Sequence, residues 1–252
     1  MGGINPAPDP PTAMHHPLHL LCAALLLAPG GAFGGNLVFR SGPERVHLLE
    51  LYTSEGCSSC PPAEERFSSL KANPALWKEV VPVAFHVDYW DNLGWPDRFA
   101  SPAYTQRQQG YAREWATGSI YTPEFVLDGQ EFRAAEIPAP SGSGGNLVVI
   151  LDSARALTVQ YQPATPAPGT LWEAHIALLG AGLTTEVRAG ENGGRRLRHD
   201  FVALALLSLP LRAGTNAAAL TLPPAKDGEK AIAAWITRAD QSAPLQAAGG
   251  WE

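Results

Sequence analysis

Apolar residues in the first half of the chain gather into continuous runs, and in the second half they alternate. Val46 to Leu51 is apolar except for Glu50, which predicts a strand. A turn follows over Tyr52 to Gly56, then Cys57-Ser58-Ser59-Cys60-Pro61-Pro62. Ala63, Phe67 and Leu70 recur at i, i+4 and i+7, the spacing of one helix face, and prolines are tolerated at a first helical turn. Val80 to Val87 is apolar enough for a central strand covered on both faces. Ser101-Pro102 opens a second helix with a cap and a proline, and Tyr104, Tyr111 and Trp115 share its inner face until Thr117-Gly118 ends it. Pro123, a short apolar strand and the Asp128-Gly129 hairpin turn come next. Asn146 is placed to cap a third helix through Leu147, Ile150, Leu151 and Ala154.

Beyond Ala156 the runs are short, alternating and separated by Gly, Pro and Asn, as in an antiparallel sandwich or barrel. The pattern therefore predicts an α/β domain over residues 44–155, then a smaller β-rich domain over 156–252.

Composition sharpens this picture in two places. The net charge of -6 gives no electrostatic basis for nucleic-acid binding, and Arg195, Arg196 and Arg198 read as a solvated turn beside Glu191-Asn192-Gly193-Gly194. Leu20 to Ala28 is too short to span a bilayer but has the length of a signal-peptide core, and small residues follow it. Residues 1–32 are thus expected to be an N-terminal extension and signal peptide, with the mature chain starting near Phe33. No Lys or Arg precedes Arg40, and Met14 is an alternative start. The expected location is periplasmic or secreted, with no stable membrane insertion after cleavage.

Cleavage removes Cys22 and leaves Cys57 and Cys60, a pair that in an exported protein reads as a disulfide or redox couple. At a helix start, unpaired amides and the dipole lower a thiol pKa from roughly 8.5 toward 7 or below. Cys57 is then the attacking residue and Cys60 the resolver. A structural staple and a zinc half-site use the same spacing. Zinc needs further soft ligands, and His47, His86, His175 and His199 do not pair at ligand spacing. No metal and no cofactor is assigned.

The order strand, CxxC, helix, strand, helix, Thr122-Pro123, strand, hairpin resembles the thioredoxin layout. The stretches LYTSEGCSSCPPAEE, FHVDYWDNLGWPDRFASPAYTQRQ and GENGGRRLRHDFV are similar to an exported bacterial thioredoxin-like family catalogued only as a domain of unknown function. The resemblance implies that Pro123 is a cis-proline whose loop packs against the cysteines and admits a peptide as an added strand. It also implies a buried acid on the preceding strand, for which Glu50 is the nearest candidate. Ser58-Ser59 departs from the Gly-Pro of thioredoxins.

His86, Asp88 and Trp90 follow the second strand at the end where open α/β sheets bind ligands, so they join Thr122 and Pro123 as candidate substrate-binding residues. The leading expectation is a thiol-disulfide oxidoreductase acting on protein or peptide thiols. Two alternatives stand beside it: a copper-binding module using Cys57, Cys60 and His86, and a non-catalytic interaction protein stapled by the disulfide.

Overall fold

A computed structural model describes residues 1–3, 35–211, 217–221 and 228–252; the expected signal segment Leu20–Ala28 and Cys22 lie outside the described residues. Gly34–Glu252 clusters as one compact unit. Its strands are β1 (Leu37–Arg40), β2 (His47–Thr53), β3 (Val80–His86), β4 (Glu124–Leu127), β5 (Gln130–Glu131), β6 (Asn146–Leu151) and β7 (Ala156–Gln162). They continue with β8 (Trp172–Ala181), β9 (Leu183–Glu186), β10 (Arg196–His199), β11 (Val202–Leu211), β12 (Ala217–Thr221), β13 (Glu229–Arg238) and β14 (Gln246–Trp251). Two α-helices accompany them among the described residues, α1 (Cys60–Ser68) and α2 (Pro102–Glu114).

The fold corrects the expected class. The protein is mostly β, and the α/β thioredoxin-like domain with a separate β-rich domain behind it does not form. One eight-stranded mixed sheet runs β14-β13-β8-β11-β3-β2-β4-β5, so strands from both sides of residue 155 share it. The junction is β11: Val202 pairs in parallel with Ala84 of β3, while the strand runs antiparallel to β8 over Val202–Leu211. β2 and β3 are parallel over their full length, and all seven residues of each are buried.

A four-stranded sheet, β1-β6-β7-β12, covers the C-terminal part of the large sheet. Leu147, Val149 and Leu151 of β6 and Leu157, Val159 and Tyr161 of β7 share a core with Ile176 and Leu178 of β8 and Ile232, Ala234 and Ile236 of β13. Intervening residues Ala177, Leu179, Ala231, Ala233 and Trp235 face the core shared with β2, β3 and α2. β8 and β13 are therefore covered on both faces, which is why they read as unbroken apolar runs.

The third predicted helix is instead β6. Its burial alternates along Asn146–Leu151, period two, and it lies between β1 and β7. The apolar positions 147, 150, 151 and 154 fit a helix on paper, but Val149 carries the inward face that the sheet uses. The Asp128-Gly129 turn, with φ of 49° and 81°, joins β4 to β5 as expected.

Candidate functional site

Cys57 and Cys60 form a disulfide just beyond the C-terminal end of β2, with Cα atoms 5.4 Å apart. The helix begins at Cys60, with Ser59 as N-cap, so Cys57 lies one turn ahead of the helix. Pro61 and Pro62 then remove two of the amide donors that a helix start normally offers. Both cysteines are buried while Ser58 and Ser59 are exposed. The surroundings are polar: Cys57 Sγ lies 3.3 Å from Ser59 Oγ, and the Cys57 amide donates to the Ser54 carbonyl.

The cover over the pair comes from the turn between β9 and β10. The Asn192 side-chain amide donates to the carbonyls of Glu55 and Cys57, both at 2.9 Å, and Glu191 Oε2 accepts from the Ser58 amide at 3.0 Å. Asn192 is fully buried, and Arg195 holds its carbonyl oxygen at 2.6 Å. Gly190 permits this approach: it sits at φ 71°, and a Cβ there would lie 3.2 Å from Trp95 Cβ.

Behind the disulfide lies a buried ionisable network. Glu64 sits four residues after Cys60, on the same buried face of α1. Its carboxylate accepts from Thr53 Oγ1 at 2.6 Å and pairs with His199 Nδ1 at 2.5 Å. His199 Nε2 lies 3.2 Å from Glu55 Oε1. His86 Nδ1 pairs with Asp97 Oδ2 at 2.6 Å, and Asp97 also accepts from the amides of Glu55 and Phe99. Trp95 Nε1 donates to Glu55 Oε2 at 2.7 Å.

Burial works against the charges of His199, Glu55 and Asp97, and the pairing outweighs it. Burial alone would lower the His199 pKa, but Glu55 and Glu64 raise it to about 9. Burial pushes Glu55 up while the bond from His199 leads the contributions that bring it below its usual range. Asp97 is likewise lowered against burial, chiefly by His86 and the two backbone donors. His199 therefore carries a proton at neutral pH.

The expected substrate-binding residues divide into two groups. Thr122-Pro123 is cis and tied to the cysteine loop through Trp90, whose Nε1 donates to Thr122 Oγ1 at 2.8 Å. A Cβ on Gly56 would lie 3.1 Å from Trp90 Cβ, so the base of this side chain also rests on the turn before Cys57. Asp88 is half-buried and accepts from Thr105 Oγ1 at 2.5 Å, fixing the end of β3 to α2. His86 is fully buried and faces the ionisable network. Glu50, the expected partner acid, belongs elsewhere. It is buried between Arg107, at 2.6 Å, and Tyr111, at 2.5 Å. A cavity of about 540 Å³ bounded by His47, Phe67, Phe125 and Pro138 includes none of the network residues.

Sequence reasoning missed Glu55, Glu64, Asp97, Asn192 and His199 as site residues. A signal existed for two of them. Glu64 is i+4 from Cys60, and His199 is i+2 from Leu197 in a strand whose odd positions point inward. Nothing local marks Glu55, Asp97 or Asn192, which gather only when β9–β10 folds over the end of β2.

Two solved structures share the fold. A crystal structure of an Agrobacterium tumefaciens protein is 21% identical with a TM-score of 0.57, covering 82% of this chain and 94% of that one. HBP35 of Porphyromonas gingivalis is 13% identical with a TM-score of 0.53, covering 83% and 76% respectively. No curated protein matches the chain. The family signature of the proteins of unknown function called DUF1223 matches residues 48–237, and the chain belongs to that family.

Proposed function

We propose that the Cys57–Cys60 pair exchanges electrons with thiols or disulfides of proteins outside the cytoplasm, and that it is poised as a reductant. The observation that carries this reading is the setting of the disulfide: a buried CxxC bond under a polar turn, with Glu64 of the acid–imidazole network one turn beyond Cys60 on the same buried helix face.

In the reduced protein a Cys57 thiolate attacks one sulfur of a partner disulfide. That bond breaks, a Cys57–partner disulfide forms, and the leaving sulfur takes a proton. Cys60 then attacks Cys57 Sγ, releasing the second partner thiol and closing Cys57–Cys60. Two electrons pass to the partner, and an external dithiol restores the pair.

The electrostatics set the direction. Strong oxidants of this kind stabilise the reduced thiolate. Here Pro61 and Pro62 withhold amide donors, and Glu191 places negative charge beside Ser58. A thiolate is disfavoured in that setting, so the disulfide is the more stable form.

Incubating Cys60→Ala with an oxidised model peptide tests the reading. A mixed disulfide through Cys57 is expected. Its absence, together with a wild-type bond that resists reduction until the protein unfolds, would leave the pair as a structural staple.

A further inference from the structure

The hydrogen bonds of the buried network leave two imidazole nitrogens without a partner, His86 Nε2 and His199 Nε2. His86 is fully buried, its Nδ1 is engaged by Asp97 at 2.6 Å, and its Nε2 has nothing to bond to. A carboxylate on Nδ1 fixes the proton there and leaves Nε2 as a bare lone pair, the arrangement by which metal-binding histidines are oriented. The ring faces His199, centroid to centroid 5.1 Å at 78°.

His199 also has a carboxylate on its other side, at ion-pair distance rather than in a hydrogen bond. Its Nε2 lies 3.2 Å from Glu55 Oε1, which turns Nδ1 toward Glu64 at 2.5 Å. One donor atom each from Glu64, His86 and His199 lies within 4.8 Å of the others, and all three residues are buried.

We propose that Glu64, His86 and His199 form a binding site for a first-row divalent cation, with Zn2+ the best match to two imidazoles and one carboxylate. Asp97 and Glu55 orient the two rings, and Thr53 orients the Glu64 carboxylate at 2.6 Å. The charge count agrees. Three buried acids, Glu55, Glu64 and Asp97, converge on two imidazoles, and a divalent ion in place of the His199 proton adds one further positive charge among them. Ligands about tetrahedral zinc stand roughly 3.3 Å apart, given bonds of about 2.0–2.1 Å. The Glu64–His199 pair, at 2.5 Å, therefore opens slightly, and the three donors, within 4.8 Å of one another, adjust to that spacing.

No sulfur is among these donors. The site is distinct from a copper site built on Cys57, Cys60 and His86, and it does not depend on the redox reading.

The test uses the whole chain, because the site is closed to solvent. Protein stripped by a chelator in denaturant is refolded with Co2+ and desalted. One bound equivalent and visible ligand-field absorption are expected, with bleaching on adding Zn2+. The Cys57→Ser, Cys60→Ser double variant should retain the ion, as should His47→Gln, and His86→Gln should lose it. If His86→Gln does not fold, the wild type decides: Zn2+ raises its Tm if the site exists. Loss of the ion in the cysteine variant would move binding to the thiols and overturn the proposal. So would wild-type protein that takes up no Co2+ and whose Tm ignores Zn2+.

Discussion

The side-chain amide of Asn192 donates to the backbone carbonyl of Cys57 at 2.9 Å, although 135 residues separate them in sequence. This bond fastens the β9–β10 turn over the disulfide. The second hydrogen of the same amide goes to Glu55, so a single residue closes both sides of the cysteine turn.

Asn192→Ala removes both bonds; the buried Glu55 carbonyl loses its donor while the Cys57 carbonyl keeps the Cys60 amide, a loss of about 1–3 kcal/mol. Much of that loss falls on the turn rather than on the sheet. The expected result is faster reduction of Cys57–Cys60 by dithiothreitol, several-fold or more, with a smaller change in Tm. Unchanged reduction kinetics would show that the turn does not gate the pair.

Glu50 and Arg107 form a second buried ion pair, in the core and apart from the cysteines. Arg107 Nε meets Glu50 Oε1 at 2.6 Å, Tyr111 donates to the other oxygen, and the guanidinium lies 4.9 Å from the centre of the Trp235 ring. Arg107→Met strands a carboxylate in the interior and should cost about 3–5 kcal/mol. The double variant Glu50→Leu, Arg107→Met should recover most of that. Urea melts of the single and double variants measure the difference, and the reduction rate of the disulfide should not change.

His175 gives the stability a pH dependence of known sign. Burial, then the charge of Arg107, lowers its pKa to about 3, and the ring is held neutral between Ser208 and Thr237. Unfolding lets it return to its ordinary value of about 6.5, so between those values the unfolded chain binds the extra proton. Its contribution is complete above about pH 6.5 and is lost as the pH falls toward 3. The loss is on the order of 2–4 kcal/mol. Denaturant melts at pH 7 and pH 4 should show it, and His175→Gln should flatten the difference.

Gln246 fastens the start of β14 to two neighbouring segments. Its Oε1 accepts from the Val46 amide at 2.8 Å, and its Nε2 donates to the carbonyls of Glu44, at 2.8 Å, and Gly145, at 2.7 Å. Gln246→Leu leaves the buried Val46 amide and Gly145 carbonyl unsatisfied and should cost roughly 2–4 kcal/mol. A melt within error of wild type would show that water replaces the amide.

The strands that carry the cysteines and the hairpin after Pro123 were readable because their burial is local: β2, β3 and α2 each show their apolar face within ten or so residues. β14 was not, because its sequence Gln-Ala-Ala-Gly-Gly-Trp is set by close approach. A Cβ on Gly249 would lie 2.6 Å from the Ile232 carbonyl, and one on Gly250 would lie 2.7 Å from Phe39. Small residues are required there, and they give no hydrophobic signal. The class was misread for a related reason. Strand, CxxC, helix and parallel strand are present in order, but nothing within the chain's first 155 residues reveals that β11 will dock beside β3. The site was legible at Cys57 and Cys60 and not at their neighbours, which arrive from positions 97, 192 and 199.

The redox equilibrium of the Cys57–Cys60 pair tests the central claim most directly. Protein is equilibrated in dithiol–disulfide buffers and the free thiols are counted by alkylation. The account predicts a reversible two-electron transition in folded protein, at or below about -270 mV, the thioredoxin end of the scale. A midpoint near -120 mV, or reduction seen only once the sheet has unfolded, would contradict it.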